Sequence, residues 1–121
     1  MAIKKILVVD DSKTELMFLS GVLQKNGFSV KTAENADDAM RQLQEERPDL
    51  ILVDVVMPGR NGFQLTRTIM RDPQYAQVPI IMCTSKNQET DRIWGLRQGA
   101  RDYIVKPVNP ADLIARIHAL N

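Results

Sequence analysis

The stretch ILVVDDSKTEL, from Ile6 to Leu16, decides the fold. Four apolar residues run directly into two adjacent aspartates, Asp10 and Asp11, and a helical pattern follows them. A short, continuous apolar run is typical of a strand that is buried on both faces of a parallel sheet. Adjacent carboxylates repel each other and resist burial, so their position at the end of such a strand needs a chemical reason.

The composition predicts one globular domain with balanced charge. Hydrophobic residues make up 44% of the 121 residues, which is enough for a buried core. The net charge of +1 gives no reason to expect binding to nucleic acid or to a membrane surface. No apolar run approaches the ~20 residues that span a bilayer, and the N-terminus does not resemble a secretory signal. The single cysteine, Cys83, excludes an internal disulfide, and we expect a cytoplasmic monomer.

Five apolar segments alternate with five amphipathic segments along the chain. The strands are predicted at 6–9, 28–33, 50–53, 79–83 and 103–105. Apolar residues at helical spacing predict the helices: Leu16, Leu19 and Leu23; Ala36, Ala39, Met40 and Leu43; Phe63, Ile69 and Met70, with Thr66; the segment 88–98; and Leu113, Ile114, Ile117 and Leu120. Asn35 and Asn109 are expected to cap the second and fifth helices. Strict alternation predicts a doubly wound α/β fold with five parallel strands and helices on both sheet faces.

Polar residues follow four of these strands, at the edge where such folds carry their sites. Asp10 and Asp11 follow the first strand, Asp54 the third, Thr84 the fourth and Lys106 the fifth. Three carboxylates that meet require a cation, and a hard divalent ion such as Mg²⁺ would offset their repulsion. One carboxylate would then accept a phosphoryl group as nucleophile, while the lysine and the threonine contact its oxygens.

The motifs resemble those of the CheY-like receiver domains of bacterial two-component response regulators. They are VVDDS at 8–12, LVDVVMPGRNG at 52–62, CTS at 83–85 and DYIVKPV at 102–108, and the resemblance covers essentially the whole chain. It implies a (βα)5 flavodoxin-like fold with strand order 2-1-3-4-5. It also implies a single receiver domain over residues 1–121 with no output domain, acting as a regulatory phospho-acceptor and not as an enzyme with an external substrate.

The resemblance assigns the phosphorylation site and its metal. It implies that Asp54 is the phospho-acceptor and that Asp10 and Asp11 are acidic ligands of Mg²⁺. The backbone carbonyl of Val56 would complete the protein's part of the metal shell. Self-phosphorylation and self-dephosphorylation would be the only reactions at the site.

The resemblance also assigns the switch. Lys106 corresponds to the family's invariant lysine, and its bond to Pro107 is implied to be cis. Thr84 and Tyr103 correspond to the switch pair: phosphorylation would draw Thr84 toward the phosphoryl group and let Tyr103 turn inward. The implied phosphodonor is a histidine kinase or a histidine phosphotransfer domain. A downstream protein would bind the face formed by the fourth helix, the fifth strand and the fifth helix.

One segment resembles a narrower group. TSKNQETDRIWGLRQGARDY, at 84–103, is similar to the PilH-like single-domain regulators of type IV pilus (twitching) chemosensory systems. A regulator of this kind could signal to a target, or it could drain phosphate from a paired regulator. The sequence leaves both roles open.

Two other site chemistries are weighed against the switch. A haloacid-dehalogenase-type phosphatase needs a second acid two residues after its nucleophile, where this chain has Val56. A flavodoxin-like nucleotide binder places its phosphate loop after the first strand, where Asp10 and Asp11 would repel phosphate. Both chemistries are therefore less favoured than the phospho-switch.

Several residues also have plain structural interpretations. Asp11 could cap the first helix, and Tyr103 could be an ordinary core residue. Trp94, one position off the apolar stripe of Ile93 and Leu96, could contact a partner or pack between helices. Gly95 costs a helix roughly 1 kcal/mol relative to Ala, which predicts a soft fourth helix.

Overall fold

The computed structural model describes residues 2–121 and contains the predicted alternation of strands and helices. The strands are β1 (Lys5–Val9), β2 (Ser29–Ala33), β3 (Leu50–Val53), β4 (Ile80–Thr84) and β5 (Asp102–Val105). The helices are α1 (Lys13–Lys25), α2 (Ala36–Glu45), α3 (Gly62–Arg71), α4 (Glu89–Gln98) and α5 (Pro110–Ala119). Every strand end lies within about one residue of its predicted position, because buried parallel strands are read directly from short apolar runs.

The five strands form one parallel sheet in the order β2-β1-β3-β4-β5, which confirms the implied order. The register pairs Val9 of β1 with Ala33 of β2 on one side and with Val53 of β3 on the other. The strands therefore end together at the carboxyl edge of the sheet. The pairing continues one residue further, since the Asp54 amide donates to the Val9 carbonyl at 2.9 Å. This bond places Asp54 beside Asp10.

Two hydrophobic cores lie on opposite faces of the sheet. Strand residues alternate between them: Leu7 and Val9 contribute to one core, and Ile6 and Val8 to the other. Helices α2 and α3 cover the first core, and α1 and α5 cover the second. A central strand buried on both faces explains why β1 reads as a continuous apolar run. The double core fixes the sheet whose edge carries the site.

The helix starts agree with the predicted caps. The Asn35 side chain accepts the Asp38 amide at 2.8 Å, and the Asn109 side chain accepts the Asp112 amide at 3.0 Å. The N-cap of α1 is Ser12. Asp11 is therefore not a capping residue, and its carboxylate is exposed at the carboxyl edge of the sheet.

Two predicted apolar stripes are partly wrong. The buried face of α3 includes Leu65, which the predicted stripe omits, while Phe63 and Met70 are only partly buried. The error in α4 is larger. Its buried residues are Gly95 and Gln98, and the three large apolar side chains of the helix are exposed: Ile93, Trp94 and Leu96. This helix therefore contacts the sheet with small and polar residues and leaves an apolar surface outside.

None of the helices formed by residues 2–121 combines the length and the apolarity that crossing a membrane would require.

Candidate functional site

The three predicted acidic residues converge at the carboxyl edge of the sheet. Asp10, Asp11 and Asp54 each offer a carboxylate oxygen, and these oxygens all lie within 4.8 Å of one another. Asp10 and Asp54 are buried, and Asp11 is exposed. Carboxylate oxygens are the ligands that Mg²⁺ prefers, and an ion with an exposed side keeps several waters. The donor set therefore fits Mg²⁺, while the part of the Val56 carbonyl stays a prediction.

Lys106 supplies the positive charge within this cluster. Its Nζ lies 2.7 Å from Asp10 Oδ2 and 3.5 Å from Asp54 Oδ2. The exposed fractions of the side chains are 14% for Lys106, 2% for Asp10 and 9% for Asp54, so solvent screens these ion pairs weakly. Burial alone would lower the pKa of the Lys106 ammonium. The hydrogen bond to Asp10 and the charge of Asp54 outweigh that effect and raise the pKa above its ordinary value.

Backbone amides fix the two buried carboxylates. The Ser12 amide donates to Asp10 Oδ1 at 2.9 Å, and the Ser12 hydroxyl oxygen accepts the Glu15 amide at 3.3 Å. The Val56 amide donates to Asp54 Oδ1 at 3.4 Å. One oxygen of each buried aspartate is thus oriented by its own loop, and the other oxygen faces Lys106.

Gly62 explains how the loop after Asp54 closes. A Cβ at this position would lie 2.3 Å from the Asp54 carbonyl oxygen and 2.8 Å from the Val55 Cα. The Gly62 amide donates to the Val55 carbonyl at 2.8 Å. Only glycine allows α3 to begin this close to the backbone that carries Asp54.

Thr84 and Tyr103 are linked through Lys86. The Thr84 hydroxyl oxygen is buried and accepts the Lys86 amide at 3.3 Å, and the Tyr103 hydroxyl donates to the Lys86 carbonyl at 2.8 Å. Burial, with the charges of Asp91 and Asp54, raises the pKa of Tyr103 to about 12, so its hydroxyl keeps its proton. The resemblance implies that Tyr103 turns inward on phosphorylation, and the structure already has it inward.

Gly95 lies directly behind the Tyr103 ring. A Cβ at Gly95 would lie 2.7 Å from Met82 Sδ and 3.1 Å from Tyr103 Cδ2. Ordinary carbon contacts are about 3.5–4.0 Å, so the inward ring occupies space that any larger residue would need. The glycine predicted to soften α4 therefore has a packing reason.

Two other expectations can be checked in the structure. The Lys106–Pro107 bond is cis, as the resemblance implies. Cys83 is buried in β4, and burial raises the pKa of its thiol to about 12. A thiol of that pKa is a poor nucleophile at neutral pH, so Cys83 is a core residue.

One site residue was missed by the sequence reasoning. Glu15 Oε2 lies 3.9 Å from Lys106 Nζ, so a third carboxylate faces this ammonium. Glu15 is the third residue of α1, and only the N-cap Ser12 separates that helix from the strand-end aspartates. Acidic residues are common in the first turn of a helix because they interact favourably with the helix dipole. The sequence therefore gives no separate signal that Glu15 also contacts Lys106.

Comparison with known proteins agrees with this geometry. Residues 6–118 match the model of the response regulator receiver domain family. Protein PilH of Pseudomonas aeruginosa is 48% identical over 116 residues, which are 96% of each chain. The phosphate regulon transcriptional regulatory protein PhoB of Escherichia coli is 42% identical over 97% of this chain, which spans 51% of PhoB.

Solved structures give the same result. The chemotaxis protein CheY4 of Vibrio cholerae superposes with a TM-score of 0.92 at 33% identity, over 99% of this chain and 100% of the CheY4 chain. A response regulator from Chloroflexus aurantiacus superposes with a TM-score of 0.93 at 31% identity, over 98% of this chain and 97% of that chain. The chain therefore belongs to the response regulator receiver domain family, whose members are regulatory phospho-acceptors of two-component and chemosensory systems.

Proposed function

We propose that this receiver domain is a phosphorylation-activated switch, with Asp54 as the phospho-acceptor. The observation that carries the proposal is the Lys106 ammonium, which lies within 3.5 Å of both buried aspartates at the carboxyl edge of the sheet. An ammonium in that position can contact an oxygen of the phosphoryl group when the group is transferred to Asp54. A purely structural domain gains nothing from buried carboxylates of like charge.

Phosphoryl transfer would use Asp54, the Lys106 ammonium 3.5 Å from it, and the Thr84 hydroxyl at the end of β4. An oxygen of Asp54 forms a bond to phosphorus, and the nitrogen–phosphorus bond of a donor phosphohistidine breaks, with its electron pair returning to the imidazole. Lys106 contacts one phosphoryl oxygen and the Thr84 hydroxyl donates to another. Mg²⁺, held by Asp10, Asp11, Asp54 and the Val56 carbonyl, would supply the positive charge that neutralises the equatorial oxygens.

The hydrogen bonds around Thr84 supply the route from site to surface. To donate to a phosphoryl oxygen on Asp54, the Thr84 hydroxyl has to move toward the site, and this movement would lengthen the bond that it accepts from the Lys86 amide, now 3.3 Å. The Lys86 carbonyl accepts the hydrogen bond of the Tyr103 hydroxyl. A shift of the Lys86 backbone would therefore also move the acceptor that holds Tyr103 inward. Phosphorylation then shifts an equilibrium between arrangements of α4 and β5.

The output is proposed to be protein binding through α4, β5 and α5. Two of these elements carry exposed apolar side chains: Ile93, Trp94 and Leu96 on α4, and Val105 on β5. Several large exposed apolar residues on neighbouring elements, with a tryptophan among them, are typical of interaction surfaces.

The pathway is proposed from the similarity to PilH. We propose a cytoplasmic, monomeric regulator that receives phosphate from a chemosensory histidine kinase or a histidine phosphotransfer domain. Its target would belong to the machinery of type IV pilus twitching motility. Binding to nucleic acid is not expected, because the net charge is +1.

Transfer from a phosphorylated donor tests this function. Candidate kinases or phosphotransfer domains are labelled on histidine and mixed with the protein and Mg²⁺, and label moves to the wild-type chain within seconds to minutes. Asp54→Asn should remain unlabelled because an amide is a poor nucleophile. Persistent acid-labile label on Asp54→Asn would refute the assignment of the acceptor.

A further inference from the structure

Glu15 contributes a carboxylate that the proposed reaction does not use. Its side chain is 30% exposed, but its Oε2 is buried and accepts no hydrogen bond from residues 2–121. That oxygen lies 3.9 Å from Lys106 Nζ. Burying a carboxylate oxygen without a hydrogen-bond donor destabilises the folded protein. The Lys106 ammonium is the positive charge beside this oxygen, so it is the group that can offset that cost.

The first turn of α1 holds Glu15 near the site. Its amide donates to the Ser12 hydroxyl oxygen at 3.3 Å, and the Ser12 amide donates to Asp10 Oδ1 at 2.9 Å. The same short segment therefore fixes both Asp10 and Glu15 against Lys106. The local backbone therefore sets where the Glu15 side chain starts, and the ion contact with Lys106 Nζ at 3.9 Å is what its carboxylate makes at the site.

Glu15 differs from the other two acids that face Lys106. Asp10 and Asp54 belong to the three carboxylates whose oxygens converge within 4.8 Å, and Glu15 does not. A bound divalent cation would share the charges of Asp10 and Asp54 and weaken their attraction for the ammonium. Glu15 lies outside that set, so a bound cation would weaken its attraction for Lys106 less.

We propose that Glu15 is a positioning residue for Lys106: in the metal-bound protein it keeps the ammonium beside Asp54, where the incoming phosphoryl group needs it. The inference rests on the proposed function, because it assigns the partner of the lysine in that reaction. Glu15 touches neither donor nor phosphoryl group and acts only through Lys106.

The sign of a mutational effect separates this role from simple electrostatics. A carboxylate that only added negative charge would repel an anionic phosphodonor, and Glu15→Gln would then speed phosphorylation. A carboxylate that positions Lys106 would slow phosphorylation when removed. The two explanations predict opposite changes in rate.

The kinetic test uses acetyl phosphate as a small donor at saturating Mg²⁺. Glu15→Gln is expected to lower the initial phosphorylation rate about three- to tenfold, within the range of coupling between contacting residues. In a Lys106→Ala background the same substitution should change the rate less than twofold. Glu45→Gln is the control, because it removes an exposed carboxylate that pairs with Arg41. A faster Glu15→Gln variant, or an equal loss in the Lys106→Ala background, would overturn the proposal.

A second measurement does not depend on phosphorylation. The Lys106 ammonium is followed by nitrogen NMR in Mg²⁺-saturated protein and is assigned by its absence in Lys106→Ala. The wild type should show a slowly exchanging ammonium signal, and Glu15→Gln should lose it or broaden it. An unchanged signal would reject the role of Glu15, even if Asp54 were not the phospho-acceptor. Failure of acetyl phosphate to label the wild type would instead count against the proposed function.

Discussion

Removing the Lys106 ammonium should destabilise the protein in a way that Mg²⁺ reverses. The variant is Lys106→Ala. In the absence of metal this ammonium neutralises a cluster in which Asp10 and Asp54 are buried and Glu15 lies 3.9 Å away. Without it, the buried carboxylates repel one another and have lost their cationic partner.

The size of the effect follows from burial and distance. Breaking a buried ion pair by removing one partner costs about 3–5 kcal/mol. We expect about 3 kcal/mol here, since Asp10 keeps the Ser12 amide as a donor and Lys106 is 14% exposed. For a 121-residue domain with an unfolding entropy of about 2.1 cal/mol/K per residue, that corresponds to a fall in Tm of about 12 °C.

Saturating Mg²⁺ should reduce the destabilisation of Lys106→Ala from about 3 to about 1 kcal/mol, because the ion supplies the missing positive charge. By linkage, the difference of about 2 kcal/mol means that the variant binds Mg²⁺ about 30-fold more tightly than the wild type. Urea unfolding in EDTA and in excess Mg²⁺ measures the stability, and calorimetry measures the affinity. Lys31→Ala is the control: its Nζ lies 3.7 Å from Glu46 on the surface, and its effect should stay below about 0.5 kcal/mol in both buffers. Equal destabilisation of Lys106→Ala with and without Mg²⁺ would refute the reasoning.

Other substitutions test separate parts of the account. Asp10→Ala should weaken Mg²⁺ binding about tenfold or more, measured by calorimetry; unchanged affinity would refute the metal site. Gly95→Ala should lower the free energy of unfolding by about 1 kcal/mol, although Ala has the better helix propensity. The added methyl group should displace the Tyr103 ring, which NMR would detect as faster ring flipping. A more stable variant with an unmoved ring would contradict the packing of Gly95 against Tyr103. The side chains of Val56 and Lys86 offer no proton acceptor to a water that attacks the phosphoryl group. The double variant Val56→Asn with Lys86→Glu should therefore lose its phosphoryl group about tenfold faster, which is a change of roughly 1.4 kcal/mol in the barrier. Equal decay of the acyl phosphate in the wild type and in the double variant would reject that explanation.

The fold was predictable because its signals are local. The run Ile6–Val9 and the similar run Leu50–Val53 are strands buried on both faces, and each is followed by a helical pattern. When strands and helices alternate, the right-handed crossover connections and the need to bury both faces of the sheet allow few topologies. In all of these, residues that follow parallel strands lie at the carboxyl edge of the sheet. Asp10 and Asp54 could therefore be placed together from the sequence, although one follows the first strand and the other the third.

The unpredicted features depend on contacts that no local pattern records. The helix α4 has no apolar stripe facing the core, because Gly95 lies against Met82 and Tyr103, and its larger apolar residues are outside. Glu15 looks like an ordinary first-turn acid, and its contact with Lys106 joins residues from opposite ends of the chain. A core position was one of the two interpretations of Tyr103, but its hydrogen bond to the Lys86 carbonyl was not predicted, because it is made to a backbone atom.

The most direct test of the central claim is to locate the phosphoryl group. The protein is phosphorylated with acetyl phosphate and Mg²⁺, the acyl phosphate is reduced with borohydride, and the modified residue is identified by peptide mass spectrometry. We expect modification at Asp54 alone, and we expect it to disappear when Mg²⁺ is removed by EDTA. Modification at Asp10, Asp11 or another carboxylate, with Asp54 unchanged, would contradict it.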